Sequence, residues 1–199
     1  MDKWINFYQP FFENHQKACQ FVERIENLSP KDEKFQAKIM MHHAQRLVSL
    51  SDDLPKIRAR RESLQLFFLL VCAEHISKLH SNYKKEGQSR AHTRRFFEEL
   101  VPSANRAKLK NGFSHLDLRP LNLREIVDLL YNVRCDVVHE GNYWDFHFYD
   151  GKNSEVNTSP DVIVYITIKQ FRNIVVRGCI EAIKTYNYRS DIPLNEDRR

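Results

Sequence analysis

No two cysteines of this chain lie close enough in sequence to hold a zinc ion or cycle a disulfide. Cys19, Cys72, Cys135 and Cys179 are scattered along 199 residues without a Cys-x-x-Cys pair. That excludes zinc-ribbon and dithiol redox chemistry and predicts reduced thiols in a cytoplasmic protein. No His-x-x-x-His pair and no glutamate-supported zinc motif is present, so neither a metal nor another cofactor is predicted. Long apolar runs are missing as well: the longest, Leu66 to Ala73, falls far short of the roughly 20 residues that cross a bilayer. That run reads as the centre of a buried helix, and no membrane contact is expected. Met1 to Ile5 has no basic segment ahead of an apolar stretch, so no secretory signal is expected. Internal repeats and low-complexity tracts are absent too.

What is present suffices for one core. Hydrophobic residues make up 42% and aromatics 12% of the chain, with no compositional break. Residues 1–189 therefore read as a single domain and 190–199 as a charged tail. Thirty-one Lys and Arg against 26 Asp and Glu leave a formal charge of +5, compatible with RNA or another polyanion as partner.

The periodicity predicts a mainly α fold with a C-terminal antiparallel β-hairpin before the last helix. One amphipathic helix spans about 3–27, and a second runs from a cap at Ser29-Pro30 to about Ser51. A long helix from Pro55 to near Gly87 carries Leu64, Phe68, Val71, His75 and Leu79 on one stripe. Short helices follow over 90–100 and 103–110, then a loop over 111–122 and a helix over 123–139. After Gly141 the period drops to two. Trp144, Phe146 and Phe148 alternate with polar neighbours, as do Val162, Val164, Ile166 and Ile168, predicting the hairpin across a polar loop over 150–161 that is a candidate contact surface. The closing helix carries Phe171, Ile174, Val175 and Ile183 on one stripe, with Gly178 placed to allow a close helix approach.

The helix over 123–139 carries the chemistry. Leu123, Ile126, Val127, Leu130, Val133 and Val137 form its apolar stripe, and Arg134 sits on the edge, aimed along an interface or cleft. Asp128, Asn132, Cys135 and His139 form a polar face, and Gly141 suits the left-handed position that ends a helix. Arg134 supplies a permanent cation and His139 a side-chain type whose charge changes near neutral pH, a pair suited to a phosphodiester. Five positions apart, they lie about 140° apart around an ideal helix. One copy does not easily grip one phosphate with both, which favours a two-chain site.

With four residues between Arg134 and His139 at the end of a late helix, the chain resembles the HEPN superfamily (higher eukaryotes and prokaryotes nucleotide-binding). Its motif is an arginine, four to six residues, and a histidine. The resemblance implies a HEPN-like helical bundle and a metal-independent endoribonuclease that works as a homodimer, with two motifs meeting at the interface. It implies that His139 serves as general acid or base and that Arg134 holds the scissile phosphate. Attack by the 2′-hydroxyl would then leave a 2′,3′-cyclic phosphate and a 5′-hydroxyl. Asn132 and Asp136 are candidate supporting residues. A toxin or antiviral defence setting, with an antitoxin or defence partner protein, is also implied. Two positions depart from the pattern. Active members commonly carry Asn, Asp or His directly after the arginine, where this chain has Cys135. Members neutralised by a nucleotidyltransferase partner often carry a tyrosine two residues past the histidine, where this chain has Gly141. Cys135 favours the alternative, a non-catalytic HEPN-like module that binds RNA or a nucleotide or assembles with a partner protein.

Lys56, Arg58, Arg60 and Arg61, together with Arg94 and Arg95 in the basic span 84–110, are candidate RNA-binding residues. A solvated helix face is the alternative for both stretches. Ser114-His115-Leu116-Asp117 has the residue types of a hydrolase triad but reads as loop.

Overall fold

The computed structural model describes residues 1–83, 85–144, 146–151 and 161–188. The polar loop over 152–160, the tail from Ser190, and the single positions Lys84 and Asp145 lie outside the described residues. The fold is mainly α with one small antiparallel two-stranded sheet before the last helix, as predicted. In chain order the elements are α1 (Asp2–Tyr8), α2 (His15–Glu26), α3 (Phe35–Ile57), α4 (Glu62–His80), α5 (Ser89–Arg95), α6 (Ser103–Asn111), β1 (Phe113–His115), α7 (Leu123–His139), β2 (Val162–Val164) and α8 (Ile168–Tyr188). Among the described residues no helix is long and apolar enough to cross a membrane.

Helix α4 is the hub, packed against α3, α5, α7 and α8. Its Leu66, Leu69, Leu70, Ala73 and Ile76 are fully buried, as its apolar run predicts. The stripe of Leu64, Phe68, Val71, His75 and Leu79 is only half-buried. A helix apolar nearly all round does not reveal by spacing which face lies deepest.

Helix boundaries depart from the predictions where a proline acts locally. The expected helix over 3–27 is broken: Pro10 sits in a 3-10 turn over Gln9–Phe11, Phe12 is extended, and Asn14 caps α2 by accepting from the Lys17 N–H at 2.9 Å. Helix α3 starts at Phe35 instead of Pro30, and it runs through Pro55 to Ile57. The Ser51 carbonyl that Pro55 cannot bond accepts the Gln65 amide instead, at 3.1 Å. Consequently α4 begins only at Glu62.

The sheet pairs different segments from those expected. Strand β2 pairs with β1, in the register Phe113↔Val164, Ser114↔Ile163 and His115↔Val162, so the stretch predicted as loop supplies the partner. The 143–149 segment keeps its alternation in burial, with Phe146 and Phe148 in the core. Its backbone bonds go elsewhere: the Phe148 N–H donates to Glu62 Oε2 at 2.6 Å, and the Tyr143 carbonyl accepts the Ser63 hydroxyl. The backbone bond from the Tyr149 N–H to the Ile166 carbonyl, at 3.0 Å, ties it to the chain after β2. Period two reports which side chains are buried, not which strand takes the backbone bonds.

Gly178 permits the close approach expected of it. A Cβ there would lie 2.6 Å from Cζ of Phe96, in the π-type turn Phe96–Leu100 that follows α5 and brings Phe96, Phe97 and Leu100 together into the core. Gly178→Val is expected to lower the unfolding free energy by about 3 kcal/mol through overpacking. Denaturant unfolding measures this, and an unchanged midpoint would mean that the Phe96 ring yields freely.

Candidate functional site

Helix α7 is well defined at both ends. At its start Asn122 Oδ1 accepts from the Glu125 N–H at 3.0 Å, while Glu125 Oε2 accepts from the Asn122 N–H at 2.8 Å. At its end the Glu140 and Asn142 N–H groups both donate to the Asp136 carbonyl, and Gly141 takes a left-handed φ of +66°. The α-helix is unbroken from Leu123 to His139. Arg134 and His139 therefore keep the separation of about 140° of a regular helix, and one copy does not bring them together.

Arg134 lies along the α4 edge of α7. Its side chain is 19% exposed and its Nη2 stands 3.7 Å from Glu74 Oε2. The guanidinium carbon lies 5.4 Å from the Tyr131 ring centre and 5.9 Å from that of Phe67. Glu74 also holds Lys78 at 2.6 Å. Burial pushes the Glu74 carboxyl up, but the Lys78 ammonium, a hydrogen bond from Ser89 and the Arg134 guanidinium outweigh it and hold the group below its usual value. At 3.7 Å the contact is an ion pair beyond hydrogen-bond distance. It leaves guanidinium donors for an anion. The sequence reading did not single out Glu74. Its signal was a carboxylate placed directly after the longest apolar run, where an ionised group needs a partner.

His139 is exposed and has no side-chain partner among the described residues. Asn132, expected beside it, accepts from Arg90 Nη2 at 2.7 Å, and Arg90 also lies over Tyr131 at 4.9 Å. Asn132 thus ties α7 to α5. Asp136 and Cys135 are half-buried, and Cys135 is a free thiol.

The two basic stretches separate in the structure. Arg94 grips Asp128 through two bonds of 2.6 and 2.5 Å, and Arg95 binds Glu99 at 2.8 Å and the Ser77 carbonyl at 3.3 Å. Arg94 braces α5 on α7, and Arg95 braces α5 on α4. The stretch at the end of α3 faces outward: Lys56 pairs with Asp53 at 2.6 Å, and Arg58 and Arg60 are exposed. Arg61 lies 5.7 Å from the Tyr143 ring. This contact carries the basic stretch to the chain segment just past His139.

On the other flank of α4, His75 meets His43 of α3 with Nε2 and Nδ1 2.6 Å apart and the rings stacked at 4.7 Å. Burial, then the neighbouring His75, Arg46 and His42, pushes His43 down to about 4. Burial and the Lys78 ammonium lower His75, against Glu74. Both rings are neutral in the fold near neutral pH, whereas in the unfolded chain they take up protons below about 6.5. Their contribution to stability is therefore complete above pH 6.5 and is lost as pH falls towards 4. The urea midpoint should fall between pH 6.5 and 4.5, more steeply in the wild type than in His43→Gln. Parallel slopes would contradict this.

Comparison with protein-family models, with curated proteins and with solved structures finds no match for the chain.

Proposed function

We propose that this chain is a HEPN-like, metal-independent endoribonuclease of the cytoplasm, active as a homodimer whose site is completed by two copies of α7. The observation that carries this reading is the division of labour on one regular helix. Arg134 lies beside the Tyr131 and Phe67 rings with guanidinium donors to spare, and His139 stands exposed about 140° around and roughly 7.5 Å along. A phosphate contacted by Arg134 of one copy and His139 of the other satisfies both.

The surface around α7 supports a second copy. Half-buried Phe67 on α4 lies beside Arg134, while Val138 and Trp144 at the other end expose 46% and 52% of their area. In the reaction, the His139 imidazole of the site takes the proton of the RNA 2′-hydroxyl as that oxygen bonds to phosphorus. The P–O5′ bond then breaks and the departing oxygen gains a proton from the same imidazolium, relayed by water. Arg134 stabilises the charge that builds on the phosphoryl oxygens. The basic stretch from Lys56 to Arg61, joined to the end of α7 through Tyr143, is suited to the flanking backbone. The setting we assign is a toxin or antiviral defence system with an antitoxin or other partner protein.

A second reading, a non-catalytic module that binds RNA or a nucleotide or assembles with another protein, is favoured by the Arg134–Glu74 pair and by Cys135. The two readings separate on a mixed RNA pool incubated in EDTA. Endonucleolytic products ending in 2′,3′-cyclic phosphate support the ribonuclease, and intact RNA in the presence of a soluble dimer supports the binding module.

A further inference from the structure

A cleft of about 780 Å³ opens between α2 and α8, beneath the turn that joins α1 to α2. It is remote from Arg134 in the packing order: α2 rests on α1 and α3, whereas α7 rests on α4, α5 and α6. Its floor is aromatic, with Phe11, Phe12 and Phe21, and its walls are cationic, with Lys17, Arg24, Arg177 and Lys184. Among the described residues that line it, Glu13 is the one carboxylate, and it is occupied by Lys17 at 2.6 Å.

Arg177 and Lys184, seven positions apart on α8, share one face. Neither has a carboxylate within ion-pair distance among the described residues; instead Arg177 lies 5.7 Å from the Phe11 ring centre and Lys184 5.2 Å from that of Phe12. Two cations held against rings, without counter-charge, keep their field directed into the cleft. The volume is that of a small-molecule site. Several cations match more than one phosphate, and the rings match a planar base.

We propose that this cleft binds a nucleoside polyphosphate, with the phosphates on Arg177, Lys184 and Lys17 and the base against the Phe11–Phe12 floor. The site is separate from the one assigned to RNA cleavage and does not depend on it. Titration calorimetry of the full chain with ATP, GTP, inorganic triphosphate and adenosine tests it, with an eight-nucleotide oligo-uridine as a further arm. The nucleoside triphosphates are expected to bind. Inorganic triphosphate is expected to bind about tenfold more weakly, and adenosine undetectably.

Arg177→Gln with Lys184→Gln, both exposed positions, should weaken ATP binding at least about tenfold with unchanged melting. Phe12→Leu should remove the preference over inorganic triphosphate, and His139→Ala should leave ATP affinity unchanged. The proposal is overturned if ATP binds the double variant as well as the wild type. Equal binding of ATP and inorganic triphosphate, which would mean an anion surface only, overturns it too. So does binding of the oligonucleotide alone.

Discussion

His139→Ala is expected to lower RNA cleavage by about 10²–10⁴-fold, the range a positioned proton-transfer group contributes, while leaving thermal unfolding unchanged. The second half follows from the structure. His139 is exposed and without a side-chain partner among the described residues, and the helix end is held by the backbone bonds to the Asp136 carbonyl and by Gly141. Removing the imidazole therefore takes away chemistry and almost no packing. Cleavage that persists in this variant would place the proton transfers elsewhere.

Arg134→Ala is expected to differ, because it should cost both activity and stability. Loss of the guanidinium from the phosphoryl oxygens should reduce cleavage about 10²–10³-fold. Loss of the same group from Glu74 leaves a largely buried carboxylate with Lys78 and Ser89 as its remaining partners, at a cost of about 1–3 kcal/mol. Arg134→Lys separates the two roles. An ammonium can still face Glu74 but cannot reproduce the planar donor fork, so most of the stability should return while cleavage stays low. If the lysine variant recovers stability and activity together, Arg134 is only a brace for Glu74.

Much of the α7 site was legible before any coordinates, because its signals are local. Its apolar stripe is regular and Gly141 ends the helix; the capping pair of Asn122 and Glu125 emerges only in the fold. The close approach at Gly178 likewise follows from a residue without a side chain on an apolar stripe, whereas the π-type turn Phe96–Leu100 falls where the spacing reads as plain helix over 90–100. What was not legible depends on partners distant in sequence. Strand β1 is three residues long and finds β2 across the whole of α7, so neither its length nor its spacing announces it. Pro55 stays inside α3 because Gln65 satisfies the carbonyl it cannot.

The same distance effect reshaped the site. Glu74 becomes the counter-charge of Arg134 only once α4 lies beside α7. Arg94, read as a candidate RNA-binding cation, is committed to Asp128. Asn132, read as support for His139, is committed to Arg90. Charge patterning names residues that need a partner; only packing says whether that partner is a neighbour in the fold or a ligand.

The central claim is that Arg134 and His139 act together across two copies of the chain. It is tested most directly by mixing the separately inactive Arg134→Ala and His139→Ala proteins, carrying different tags, under conditions that exchange subunits. Each mixed dimer then has one site with both changes and one intact site, so random exchange should restore about a quarter of wild-type cleavage. Formation of mixed dimers, shown by tandem capture, without recovery of cleavage would contradict the account.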